Sequence, residues 1–208
     1  MLDKDKIVEE IRSEAEMCFE CKTNEDDPLV FARGNPNSRF VIVGEGPGEQ
    51  EERQGRPFVG AAGHLLDRTF KALGLDTEKD FFVTNIVFYR SYRTTTDGKK
   101  ENKPPSAGQI EACRPFLERL IGAVNPLLIV ALGAKSAQWF LGGDFKLTEG
   151  RGRVYEWRGI KILPTFHPAA VLRAFGAGAQ ERRLQFEKDL AKAASIVREF
   201  PSDKRLSV

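Results

Sequence analysis

A three-layer α/β/α sandwich around a mostly parallel, four-stranded central sheet is the fold this sequence predicts, on three observations. Four short runs rich in β-branched and aromatic residues, Phe40 to Val43, Phe81 to Val87, Leu127 to Leu132 and Gly159 to Leu163, have the length of buried strands. Segments of helical period lie between them, and strands alternating with helices build a parallel sheet covered on both faces. At 208 residues and 41% hydrophobic, the chain can bury a substantial core as one domain spanning residues 1–208. No run approaches the ~18 apolar residues of a membrane span.

Residues 3 to 16 carry Ile7, Ile11 and Ala15 at four-residue spacing, a helix that delivers Cys18-Phe19-Glu20-Cys21. Glu25-Asp26-Asp27-Pro28 and Gly34-Asn35-Pro36-Asn37 read as loops around a short strand, Leu29 to Ala32. The next strand ends abruptly in Gly44-Glu45-Gly46-Pro47-Gly48, a loop whose backbone bends tightly and approaches something closely. Ala61 to Leu73 has helical period and stops at Gly74, a C-cap. Phe81 to Val87 leads to Tyr89, and the polar segment Arg90 to Pro105 is too long for an ordinary connection, so it is either functional or mobile.

Ser106 with Gln109 forms a capping box, opening a helix that carries Cys113 and ends near Asn125-Pro126. Gly133 closes the third strand and a short helix runs to Leu141. Leu147 to Trp157 makes an antiparallel excursion before the fourth main strand, which ends in Thr165-Phe166-His167-Pro168. Gln180 to Phe200 is a last amphipathic helix, with Phe186, Leu190, Ala193, Ala194 and Val197 inward.

Parallel sheets hold ligands beyond the carboxyl ends of their strands. Glu45, Glu49, Glu51 and Glu52 crowd the first such end, which suits a phosphate cradle poorly. The loop lacks the Lys-Ser/Thr of a P-loop, and Gly44-x-Gly46 without a third glycine in register is weak as a dinucleotide fingerprint. Carboxylates aimed at a pocket suit an electron-poor transition state. A lone histidine is more often structural than catalytic, but His167 lies at the same sheet edge, which favours a functional role. His64, inside a helix, reads as structural. An amide such as Asn85 can read a planar heterocycle and a ring such as Phe58 can stack on it, though singly each suits core or turn equally well.

Thirty-two basic against thirty acidic side chains leave a net charge of +2, too small to imply a partner. Arg90, Arg93, Lys99, Lys100 and Lys103 cluster, as do Arg151, Arg153, Arg158 and Lys161; each group is either a solvated face or a nucleic-acid contact. Met1-Leu2-Asp3-Lys4-Asp5-Lys6 lacks the apolar stretch of a signal peptide, which predicts a cytoplasmic chain with no membrane partner. In such a compartment Cys18-x-x-Cys21 points to metal or redox chemistry rather than a disulfide. Cys113 adds a third thiolate, which simple exchange does not need, so zinc or an iron-sulfur centre is the better fit; three buried small hydrophobes are the bland alternative.

Taken in order, Gly44-Glu45-Gly46-Pro47-Gly48-Glu49-Gln50-Glu51-Glu52, Gly55-Arg56-Pro57-Phe58-Val59-Gly60, Thr84-Asn85-Ile86-Val87, Ala112-Cys113-Arg114-Pro115, Arg151-Gly152-Arg153-Val154-Tyr155-Glu156-Trp157 and Phe166-His167-Pro168-Ala169-Ala170-Val171-Leu172-Arg173 resemble the iron-sulfur uracil-DNA glycosylases, family four of their superfamily. The match spans residues 18 to about 190. The resemblance implies that fold, and a monomeric, monofunctional glycosylase of base-excision repair that flips uracil from single- or double-stranded DNA and leaves an abasic site. It implies that Phe58 stacks on uracil, Asn85 hydrogen-bonds its polar edge, and His167 donates to the carbonyl that gains charge. Glu45 would steady the oxocarbenium-like sugar or place water, Glu51 would wall the pocket near the fifth carbon, and Gly46 permits close approach. Val171 and Leu172 are the implied wedge, with Arg173 on a phosphate and the Arg90, Arg93, Lys99, Lys100, Lys103 cluster on DNA. It also implies an iron-sulfur cluster, 4Fe-4S, on Cys18, Cys21 and Cys113.

Two departures qualify the resemblance. Tyr89 stands where the family places a cysteine, so either Tyr89 supplies an oxygen ligand, or another group does, or the cluster is smaller or absent; three thiolate ligands are the preferred reading. The segment Arg90 to Lys103 is longer than in ordinary members and resembles the loop of the UdgX branch, as does Gly143 to Thr148. That branch's loop histidine bonds covalently to the abasic sugar, whereas here there is none and Asn102 falls near its place, so turnover is expected rather than trapping. The alternatives are a module that binds uracil-containing or damaged DNA but barely cuts, and a glycosylase for another deaminated base.

Overall fold

The computed structural model describes residues 3–199. Its strands are β1 (Ala32–Gly34), β2 (Phe40–Gly44), β3 (Phe82–Asn85), β4 (Tyr92–Thr94), β5 (Lys100–Asn102), β6 (Leu128–Leu132), β7 (Tyr155–Trp157) and β8 (Ile160–Thr165). Six of them form one sheet in the order β1-β3-β2-β6-β8-β7, while β4 and β5 pair as a separate hairpin. The four inner strands are parallel, as the alternation with helices requires. The expected four-stranded sheet is thus widened to six by β1 and β7, each antiparallel to its neighbour. Each of these edges is three residues long, too short to show a period of two. The expected strand Leu29 to Ala32 overlaps β1 only at Ala32; Leu29, Val30 and Phe31 are buried instead as an extended approach, with the Val30 N–H donating to the Phe88 carbonyl.

Every residue of β2, β3 and β6 is buried, because helices cover both faces. On one side lie α1 (Lys4–Glu16), α4 (Ala107–Val124) and α5 (Ala134–Leu141), which pack Ile11, Leu117 and Ala137 against Val41 and Ile129. On the other lie α3 (Ala61–Ala72), α7 (Pro168–Leu172) and α8 (Ala177–Glu199), which pack Leu66, Phe70 and Phe186 against Ile42 and Val130. Each such side chain, fully buried, contributes about 1.5–3 kcal/mol. The short helices α2 (Glu49–Gln54) and α6 (Leu147–Gly150) sit in the connections.

The helix signals hold locally. Ser106 Oγ accepts from the Gln109 N–H at 3.2 Å while Gln109 Oε1 accepts from the Ser106 N–H at 3.1 Å, the expected capping box. Asn125 ends α4 in the left-handed conformation, φ 48°. The last helix begins at Ala177, earlier than expected, and its five inward residues are all buried; the expected end at Phe200 lies outside the described residues. No helix among the described residues is long and apolar enough to cross a membrane.

Register sets the level at which the loops emerge. Gly44 pairs with Asn85, and Leu132 with Thr165, so the loops after β2, β3, β6 and β8 leave the sheet together at its carboxyl edge.

Candidate active site

These loops enclose a cavity of about 710 Å³ whose wall includes Glu45, Gly46, Glu51, Phe58, Asn85 and His167. The six expected pocket residues therefore meet at one place. Gly44 makes the closest approach possible: a Cβ there would fall inside 3.0 Å of both the Asn85 amide oxygen and the Phe58 ring. Phe58 is 6% exposed and holds φ at 56°, a left-handed conformation costly for a bulky residue. Gly63 allows it, since a Cβ at that position would overlap the Phe58 backbone. The ring lies nearly parallel to the His167 imidazole, centroids 5.9 Å apart at 27°.

Asn85 is 1% exposed and its Oδ1 has no hydrogen-bond partner within the protein. A buried acceptor left unpaired costs about 1–3 kcal/mol, so this atom is poised for an incoming donor. Glu51 is committed to the backbone: Oε1 accepts from the Gly60 N–H at 2.8 Å and Oε2 from the Gly48 N–H at 3.1 Å. That carboxylate closes the loop around Phe58 and forms wall beside it.

Burial pushes the Glu45 carboxyl pKa up, and the nearby positive charges of Lys135 and Arg173 pull it partly back. His167 caps the start of α7, its Nδ1 accepting from the Ala169 N–H at 3.2 Å. The ring proton of the neutral imidazole is thereby placed on Nε2. Burial, with help from the Arg173 charge, brings its pKa down to about 4, so the ring is neutral at physiological pH. Gly133, at φ 93°, leaves room for the histidine, because a Cβ there would come within 3.1 Å of the His167 Cβ. The site thus offers an unpaired acceptor, a flat ring, a neutral N–H donor and a carboxylate around one space. That set suits a planar polar ligand that gains negative charge while a neighbouring group gains positive charge.

The basic residues divide. Arg90 is 3% exposed, and its guanidinium donates to Asn102 Oδ1 at 2.6 Å, Glu52 Oε2 at 2.8 Å and the Lys100 carbonyl at 3.1 Å. It is an internal strut, not a surface cation. Arg93, Lys99 and Lys100 pair with Glu101, Asp97 and Asp27. Lys103 and Arg173 line the cavity. Val171 is 8% exposed and belongs to the core, so it does not stand out as a wedge, whereas Leu172 is 48% exposed. Lys135, in the first turn of α5 just beyond β6, carries no motif of its own; the rule that every strand end of a parallel sheet feeds the site would have found it.

Cys18, Cys21 and Cys113 meet between α1 and α4. The Cys18 and Cys21 sulfurs are 2.8 Å apart, and Cys113 lies near enough to raise the Cys21 pKa. Burial pushes the Cys18 thiol up to about 12, and the Cys113 contact pushes Cys21 higher still. Three converging soft donors fit an iron-sulfur centre, although among the described residues no group of three or more His, Cys, Asp or Glu has the spacing of a metal-ion site. Tyr89 is fully buried beside them, but its hydroxyl donates to the Ala15 and Glu16 carbonyls, both at 3.1 Å, at the end of α1. The tyrosine clamps the end of α1.

A family model described as the uracil DNA glycosylase superfamily matches residues 31–191, and the chain belongs to that superfamily. A type-4 uracil-DNA glycosylase of Thermotoga maritima is 35% identical over 205 residues, 95% of this chain and 98% of that protein. One of Archaeoglobus fulgidus is 34% identical over 92% of each chain, and one of Sulfurisphaera tokodaii is 38% identical over 79% of this chain and 76% of the other. Within the superfamily, then, this is a member of the type-4 family. The crystal structure of wild-type Pedobacter heparinus SMUG2 shares the fold, with a TM-score of 0.61 and 13% identity over 94% of this chain and 98% of that one.

Proposed function

We propose that the chain hydrolyses the N-glycosidic bond of deoxyuridine in DNA, releasing uracil and leaving an abasic site for repair. The observation that carries this reading is the buried, unpaired Oδ1 of Asn85, a residue that lines the cavity together with Phe58. Uracil turned out of the stack rests on that ring and donates its ring N–H to Asn85. As the bond from the sugar carbon breaks, its electron pair passes into the pyrimidine, and the neutral His167 donates from Nε2 to the carbonyl oxygen that takes up the charge. Ionised Glu45 faces the electron-poor sugar and orients the water that adds to it. Glu51 holds the loop that makes the wall, where a thymine methyl would collide. Lys103, Arg173 and Lys135 are proposed phosphate contacts, so binding should weaken steeply with salt. The pairing of Arg93, Lys99 and Lys100 leaves the hairpin a lesser share.

An iron-sulfur cluster on Cys18, Cys21 and Cys113 would tie α1 to α4 and supply no step of the hydrolysis. With no histidine in the segment Arg90 to Lys103, the enzyme turns over. The test is base release from oligonucleotides carrying uracil, hypoxanthine or xanthine. Uracil release is expected. Affinity for the uracil strand without release would make the chain a binding module, release of another base alone would change its substrate, and a denaturation-resistant adduct would show trapping.

A further inference from the structure

Asn102 ends β5 and lines the cavity, with Lys103 next to it. Its amide is held at one end. Arg90 Nε donates to Oδ1 at 2.6 Å, and the same guanidinium is braced by Glu52 Oε2 and the Lys100 carbonyl. A guanidinium has donors and no acceptor, so the carbonyl end of the amide must meet it and the NH2 end is left over. That nitrogen lies beside the loop after β2: a Cβ on Gly48, itself part of the cavity wall, would lie 3.5 Å from Nδ2. Nδ2 donates to no group among the described residues. The Lys103 N–H donates to the Ser91 carbonyl at 2.9 Å, which pins the backbone just beyond Asn102. The hairpin thus presents two oriented donor protons and a cation at the cavity's edge.

The two cavity asparagines have opposite polarity. Asn85, 1% exposed, offers an acceptor, whereas Asn102 is exposed and offers donors. A buried acceptor suits a base, and an exposed donor beside a lysine suits what stays outside with the strand, its phosphodiester. The carboxylates after β2 oppose this little, since three of the four are engaged: Glu49 pairs with Arg53, Glu52 with Arg90, and Glu51 accepts from two backbone N–H groups. We propose that the Asn102 amide donates to a phosphate oxygen flanking the extruded nucleotide, with Arg90 as the positioning residue that orients it. The inference rests on the uracil-excision reading and names the group that the hairpin recognises. Made to the uracil strand alone, the contact serves single- and double-stranded substrates equally.

The experiment measures the affinity of the full chain, Asn102→Ala and Asn102→Asp for a strand whose uracil nucleotide carries a 2′-fluorine, which resists cleavage. The phosphate on either side of that nucleotide is replaced in turn by a neutral methylphosphonate. Asn102→Asp keeps an oxygen for Arg90, so the strut stays, but puts a carboxylate where the donors were. On the unmodified strand Asn102→Ala should lose about tenfold in affinity, the size of one hydrogen bond to a charged group, and Asn102→Asp more. On one methylphosphonate strand the unmutated chain should lose a similar factor and Asn102→Ala no more. Asparagine is neutral, so Asn102→Ala should leave the salt dependence unchanged, whereas Lys103→Ala should lower its slope by about one. Inhibition by free uracil, which has no phosphate, should be the same in all three chains. Additive losses on both methylphosphonate strands, or an Asn102→Asp that binds as tightly as the unmutated chain, would overturn the inference. So would weaker inhibition of Asn102→Ala by free uracil, which would assign the amide to the base. None of these results touches the glycosylase reading, which falls instead if the unmutated chain releases no uracil.

Discussion

Lys135 and Arg173 partly oppose the effect of burial on Glu45. Burial raises the Glu45 pKa above its usual 4.5, and a carboxylate that must be ionised loses function as pH falls through that raised value. His167, at about 4, stays neutral above that value and adds no inflection near 6.5. The Lys135→Ala variant removes a charge that pulls the Glu45 pKa down, so the acid limb of the pH–rate profile should move to higher pH. A limb that stays in place or moves down would contradict the assignment. Glu45 and His167 were legible because each lies just past a strand end, Asn85 because it closes β3, and Phe58 because it stands in the distinctive string Gly55-Arg56-Pro57-Phe58-Val59-Gly60. Lys135 was not, because a single lysine in the first turn of a helix carries no pattern. Val171 and Arg90 were misjudged from the same cause: burial is decided by packing across the sheet, and the spacing of one short segment does not report it.

At the scale of elements, a buried cation ties the hairpin β4–β5 to α2. Arg90 bridges Asn102 on β5 to Glu52 on α2, with side chains 4% and 12% exposed in the ion pair. Removing one partner strands a poorly solvated charge, so Arg90→Met should cost about 3–5 kcal/mol in urea unfolding, and adding Glu52→Gln should restore part of it. A loss below about 0.5 kcal/mol, the range of ordinary surface substitutions, would make the strut dispensable. The four parallel strands were legible as continuous apolar runs and the capping box of α4 as a local signal. The hairpin was hidden because its strands are three residues of polar sequence, and β1 was expected but shifted, because its register is set by long-range pairing with β3.

For the whole molecule, the sheet brings the strand-end loops to one cavity, while the thiol group joins α1, the turn Phe19–Cys21 and α4 to one side. Protein prepared without oxygen should carry iron and acid-labile sulfide, and Cys113→Ser should lose both together with thermal stability, since ligand removal unties two helices. Absence of iron would leave the cysteines as core residues. The central claim is that one neutral imidazole and one buried carboxylate divide the charge of glycosidic cleavage around a base held by Phe58 and Asn85. Single-turnover uracil release by the unmutated chain, His167→Ala and Glu45→Gln, measured beside their DNA affinities, tests it most directly. Each variant should lose at least about a hundredfold in rate, the usual worth of a group acting on transition-state charge, with DNA affinity retained. Variants that cut as fast as the unmutated chain, or that lose rate only because they no longer bind DNA, would contradict it.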